Sequence, residues 1–235
     1  MFFTINESKK IIFGWSAKCG CSYVLNLFYK LSNIENPSPF YDYNNLNLKT
    51  KEEMKEYTIV VFVRNPYKRL VSGFLEKYGK RIFFDKLHKK DGITFTEFVN
   101  LLYTRPDKID KHHFTPQTSE AFNSRTVEDK FSVCKRFEMM DIENIHLEIL
   151  KEIFAFKESI STISKSIGKK DHSHQHVKDI QSKRLYDLPI KDLLDVKYEI
   201  SQFYDEDIMK KVQSIYASDF TFFKTQMFCY ELFIV

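Results

Sequence analysis

The sequence predicts an α/β fold, a three-layer sandwich with a central, mainly parallel sheet, in a single domain over residues 1–235. Three observations carry this expectation. Two apolar runs are each followed by a short polar turn and then an amphipathic helical pattern, the repeating unit of a parallel sheet flanked by helices. The second run, "YTIVVFV" at residues 57–63, is apolar without alternation, as a strand covered on both faces must be. The length suits one substantial core, and neither an internal repeat nor a linker divides it.

The elements follow in order. "KKIIFGW" (9–15) reads as a strand, and from Cys21 the apolar positions Val24, Leu25, Leu27, Phe28 and Leu31 recur at helical spacing. Pro37 and Pro39 mark a loop over 33–50. After the strand at 57–63, Asn65 is a good N-cap and Pro66 a good first helical residue; Leu70, Val71, Phe74, Leu75 and Tyr78 form one apolar stripe. Residues 79–92 are basic and irregular. Thr94 caps a helix bearing Phe95, Phe98, Leu101 and Leu102, and residues 105–125 form a loop. "FSVCKRFEMM" (131–140) reads as a third strand and Ile142–Phe156 as a helix. A polar break at 168–175 precedes a mainly helical remainder, interrupted near Pro189 and Tyr204–Asp205.

Composition narrows the function. A net charge of +4 suits an anionic ligand or acidic substrate but not a protein that coats nucleic acid. No apolar run approaches the ~18 residues of a membrane span, and "MFFTINESKK" lacks a signal peptide's layout, so a soluble, cytoplasmic chain is expected. Four cysteines are too few for a disulfide framework. His172, His174 and His176 alternate, but with no fixed carboxylate or cysteine spacing around them they read as a polar loop and not a zinc site. No metal is expected.

Chemistry concentrates in the two strand-to-helix turns, where helix N-termini offer N–H groups and a positive dipole end to anions. In the first, "WSAKCGCSYV" (15–24), Lys18 supplies charge, Gly20 lets the backbone approach closely, and Ser22 adds a hydroxyl. In the second, Arg64 ends the strand and Ser72 lies about two helical turns beyond it. The P-loop pattern Gly-x-x-x-x-Gly-Lys-Ser/Thr is absent.

Lys-x-Gly-Cys-Ser (18–22) followed by "VRNPYKRLVS" (63–72) resembles the two donor signatures of sulfotransferases that use 3′-phosphoadenosine 5′-phosphosulfate (PAPS), particularly the carbohydrate type that includes chondroitin and dermatan sulfotransferases. "HHFTPQ" (112–117) is similar to that type's His-Trp-x-Pro-Gln. "FSVCKRFEMM" is similar to its strand ending in a glutamate, and "IYASDFTFF" (215–223) to its closing Tyr-x-x-Asp-Phe-x-x-Phe. Ala17 and Phe114 stand where the family usually has proline and tryptophan, and no apolar run here has the length of the family's membrane anchor.

The resemblance implies a P-loop-like sulfotransferase fold. It implies that Lys18, Cys19, Gly20, Cys21 and Ser22 surround the 5′-phosphosulfate, that Arg64 and Ser72 hold the 3′-phosphate, and that Lys170, or Lys169, reaches a phosphate. Lys18 would stabilise the leaving phosphate, Ser22 would hold sulfonate oxygens, and His113, with His112 as its rival, would be the general base. The acceptor would be a carbohydrate hydroxyl. By its own composition the basic stretch "KLHKK" (86–90) reads equally as the lining of an acidic-glycan groove and as a solvated surface. Two other readings stay open at this point: a nucleotide-dependent kinase, and a non-catalytic module that binds sulfated or phosphorylated ligands.

Overall fold

The computed structural model describes residues 1–34, 49–79, 92–118, 131–159, 163, 178–179, 184–194 and 196–225. In chain order the elements are β1 (Phe2–Asn6), β2 (Ile11–Trp15), α1 (Cys21–Leu31), α2 (Lys51–Met54), β3 (Thr58–Val63), α3 (Pro66–Gly79), α4 (Phe95–Thr104) and α5 (Lys111–Phe114). They continue with β4 (Arg136–Asp141), α6 (Leu147–Phe154), β5 (Lys178–Asp179), β6 (Val196–Lys197), α7 (Glu206–Ile215) and α8 (Ala217–Thr225). The chain forms two compact units, Met1–Arg64 with Gln117–His172, and Asn65–Pro116 with Ser173–Val235.

The first unit holds a four-stranded sheet in the order β1-β2-β3-β4. β2, β3 and β4 run parallel and β1 antiparallel, so the mixed α/β, mainly parallel expectation holds. Alternation sorts the side chains. Ile11, Phe13, Trp15, Val60, Phe62 and Met140 join one cluster with Val24, Leu27, Phe28 and Leu31 of α1 and Leu150 and Phe154 of α6. Phe13 is its hub, with ring centroids 4.9 Å from Phe62, 5.3 Å from Phe28 and 5.5 Å from Phe154. Truncating a buried ring of this kind costs ~3–5 kcal/mol. Ile12, Ile59, Val61 and Val63, which alternate with these, are buried too, and this is why the run 57–63 lacks polar positions. Lys9 Nζ donates to the carbonyls of Leu31 (3.3 Å) and Phe154 (3.0 Å), a cation at the C-terminal ends of α1 and α6.

Three expectations shift here. β1 was not foreseen; it forms because Asn6 Oδ1 accepts from Ser8 Oγ and Lys9 N, turning the chain back onto β2. The third strand begins at Arg136 and not at Phe131, since its partner β3 begins at Thr58, the residue opposite Arg136. The helix expected from Ile142 starts at Leu147: Asp141 Oδ1 accepts from Glu143 N and Asp141 O from Asn144 N, spending these residues on a turn.

In the second unit, Asn65 Oδ1 caps α3 by accepting from Tyr67 N at 2.9 Å, and Thr94 with Glu97 forms a capping box at α4. Phe74, Phe95, Phe98 and Phe114 share a core with Ile208 and Val212 of α7. Residues 105–118, expected as loop, include a 3-10 turn at Pro106–Lys108 and α5. The stretch expected to be mainly helical instead holds 3-10 turns at Leu185–Asp187, Ile190–Leu193 and Ile200–Phe203 before α7.

Candidate active site

The turn between β2 and α1 is shaped by two left-handed residues, Lys18 (φ 69°) and Gly20 (φ 70°). Glycine is required at the second: besides its φ, a Cβ there would lie 2.8 Å from Ile142 Cγ1. Gly20 is also the N-cap of α1, without a side-chain cap, and the first turn carries no acidic residue. The amides that open α1 therefore lack intrahelical acceptors and face no competing carboxylate of their own turn. Ser22 is exposed and Lys18 half-buried. Ser16 Oγ, at the start of the turn, is buried with no hydrogen-bond partner among the described residues. Cys19 is fully buried and its Sγ donates to Gln117 Oε1; burial pushes the Cys21 thiol up, so Cys21 reads as a thiol that lines the turn and not as a reactive thiolate.

Arg64, one residue beyond β3, is held at both its backbone and its head. Gln117 Oε1 accepts from Arg64 N at 2.9 Å, and Gln117 Nε2 donates to Arg64 O at 2.8 Å. The guanidinium donates through Nε to Glu143 Oε1 at 2.8 Å, with Nη2 also 2.8 Å from that oxygen, and through Nη1 to the Lys18 carbonyl at 3.3 Å. Arg64 and the Lys18 turn are thus brought together, and a carboxylate sits on the cation expected to take a phosphate. The sequence reading missed Glu143 and Gln117 as partners; only the position of Gln117 in "HHFTPQ" marked it out.

In the second unit, Ser72 is half-buried on α3. Arg69 is buried and donates to the Thr115 carbonyl at 2.9 Å. His113 Nδ1 hydrogen-bonds Asp110 Oδ2, while Asp110 Oδ1 caps α5 by accepting from His112 N at 3.1 Å. Burial holds the His113 imidazole below its usual value; Asp110 pulls it up, and Lys77 and His112 push it down. Tyr78, whose phenol burial pushes up to about 12, stays protonated. Asp110 was not singled out from sequence, although an aspartate three residues before His113 at a helix start is a local signal. Lys169, Lys170, His172, His174, His176 and the "KLHKK" stretch lie outside the described residues.

A mainly parallel sheet that leads through an uncapped, lysine-bearing turn into its first helix defines an α/β protein. The family model for the sulfotransferase family matches residues 2–226, and the chain belongs to that family. No curated protein and no solved structure matches the chain. No helix among the described residues is long and apolar enough to cross a membrane.

Proposed function

We propose that the chain transfers the sulfuryl group of PAPS to a hydroxyl of a carbohydrate, as one sulfotransferase domain over residues 1–235 with a three-layer, P-loop-like fold. One observation carries the reading: Lys18 and Gly20, both left-handed, lead into an α1 N-terminus that has neither a side-chain cap nor an acidic first turn. The donor set fits a phosphosulfate, with a lysine, an exposed Ser22 hydroxyl, helix-terminal amides and a buried Ser16 hydroxyl lacking a partner among the described residues.

When bound, PAPS supplies an activated sulfuryl group whose transfer releases a phosphate oxyanion. Lys18 balances the charge that grows on that phosphate, while Ser22 and the α1 amides orient the sulfonate oxygens, with Cys19, Gly20 and Cys21 completing the loop. Arg64 and Ser72 take the 3′-phosphate, and Lys170 contributes a further cation. Asp110 accepts from Nδ1–H of His113, so Nε2 carries the lone pair that removes the acceptor's proton. Burial favours the neutral imidazole this step needs. No step calls on a metal. The basic stretch at 86–90 favours acidic glycans as acceptors.

The test pairs binding with turnover. Adenosine 3′,5′-bisphosphate, ATP and AMP are compared by thermal shift without magnesium; a ligand at 100 times its Kd stabilises by ~2.7 kcal/mol. Radiolabelled sulfuryl transfer to desulfated glycans is then measured for wild type, Lys18→Ala and His113→Ala. The 3′-phosphorylated nucleotide is expected to give the larger shift, and each substitution to cut the rate by ~100-fold or more. Full transfer by Lys18→Ala, or an equal response to ATP, overturns the proposal.

A further inference from the structure

We infer that Gln117 is a positioning residue that locks the end of β3 to the turn before α1, and so sets Arg64 and Lys18 in register for the donor. The inference rests on the PAPS reading for its ligand and on geometry for the rest. Gln117 is 1% exposed, and its amide spends itself on two partners of the candidate site. Oε1 accepts from Arg64 N (2.9 Å) and from the Cys19 thiol (2.9 Å), and Nε2 donates to Arg64 O (2.8 Å).

The pair of bonds to Arg64 imitates a strand neighbour. The β3–β4 ladder ends with Ile142 N donating to Val63 O at 2.8 Å, so the backbone of Arg64 lies just past the last rung. A backbone N–H and C=O there need partners, and a primary amide offers one acceptor and one donor at the spacing of a peptide group. The bond to Cys19 joins the same side chain to the first turn. Arg64 Nη1 then reaches the Lys18 carbonyl at 3.3 Å, which closes a ring: Lys18, Cys19, Gln117, Arg64 and back to Lys18. Because Cys19 is fully buried and Gln117 nearly so, water has little access with which to replace either contact. The ring ties the two turns at their backbones, where sub-ångström placement of anion-binding groups decides affinity.

Side-chain chemistry makes the inference testable. Leucine offers neither donor nor acceptor. A glutamate carboxylate accepts from Arg64 N–H but presents a second negative oxygen to Arg64 C=O, whereas a protonated carboxyl restores one acceptor and one donor. The full-length chain is therefore compared with Gln117→Leu and Gln117→Glu in three ways: thermal melting, amide hydrogen exchange, and titration with adenosine 3′,5′-bisphosphate between pH 5 and 8.

For Gln117→Leu, Arg64 amide exchange is expected to rise at least ~10-fold while Val60 and Val61, in the middle of β3, stay protected; affinity for the bisphosphate falls by a similar factor. For Gln117→Glu, the affinity ratio to wild type at each pH is expected to be low at pH 8 and to recover towards pH 5 as the carboxyl protonates. Unchanged Arg64 exchange in Gln117→Leu overturns the inference. So does faster exchange with affinity within twofold of wild type, or a Gln117→Glu ratio that is flat with pH while the protein stays folded. A wild type that fails to prefer the bisphosphate over ATP sinks the PAPS reading alone, and Gln117 is then judged on the exchange of Arg64.

Discussion

Replacing Gly73 or Gly79 with alanine sets helix propensity against packing on the same helix. Both residues lie in α3, and at both an added Cβ would fall 2.7 Å from a side-chain carbon, Phe114 Cε1 for Gly73 and Leu194 Cδ2 for Gly79. Alanine gains up to ~1 kcal/mol over glycine inside a helix and less at its last residue. What must move decides the sign. Phe114 is 2% exposed, its ring lies 4.9 Å from Phe98 and 5.9 Å from Tyr78, and its carbonyl accepts from Tyr216 Oη at 2.9 Å. That ring has nowhere to swing, and overpacking of this kind costs ~1–3 kcal/mol. The expected net for Gly73→Ala is a loss of about 1 kcal/mol, a fall in Tm of ~2–4 °C at this chain length. Leu194 is 38% exposed and offers only a terminal methyl, and the next atoms stand 3.5 Å away on Ile190, so Gly79→Ala is expected to be neutral or slightly stabilising. Scanning fluorimetry and urea melts measure both. Adding Phe114→Leu to Gly73→Ala should show a favourable coupling of ~1 kcal/mol, because the double change removes the clash. The reasoning fails if Gly73→Ala melts at or above Gly79→Ala, or if the coupling is absent.

Two further predictions concern charge. Asp110→Asn keeps a good N-cap for α5 but removes the carboxylate that raises the His113 pKa. The acid limb of the kcat/KM profile, set by loss of the neutral imidazole as pH falls, is therefore expected to move to lower pH. The plateau should drop by ~10- to 100-fold as His113 loses its orienting partner; a limb that moves to higher pH contradicts the assignment. Glu143→Gln removes the carboxylate on Arg64 while keeping its shape. The pair is partly exposed, with side chains 24% and 34% accessible, so it is worth at most ~1 kcal/mol. Affinity for adenosine 3′,5′-bisphosphate should rise by up to ~5-fold at low salt and less at high salt, whereas weaker binding would mean that Glu143 presents the guanidinium to the ligand.

Much of the frame was legible because its signals are local. The uninterrupted apolar run of β3, Asn65 ahead of Pro66, and Thr94 with Glu97 three residues later each encode a strand or a helix start within a few positions. Element ends were less legible. β4 starts where β3 supplies a partner, and α6 starts late because Asp141 turns the chain first, so both boundaries depend on a neighbour as well as on propensity. The long-range pairings were not legible, even though "HHFTPQ" marked Gln117: Gln117 meets Arg64 across 53 positions and Glu143 meets it across 79.

By itself, then, the sequence determined two strand–turn–helix units and the residue types they carry: Lys18, Gly20 and Ser22 at the first turn, Arg64 at the second, and Ser72 about two helical turns beyond it. Periodicity, caps and backbone freedom are properties of short segments, and a short segment reveals them. Only the tertiary structure decided what these residues touch. It put Glu143 on the Arg64 guanidinium and the Gln117 amide on its backbone, and it joined that amide to Cys19. The physical reason is that a buried polar group takes whichever partner the packed strands and turns bring within ~3 Å, and strand order, not spacing along the chain, makes that choice.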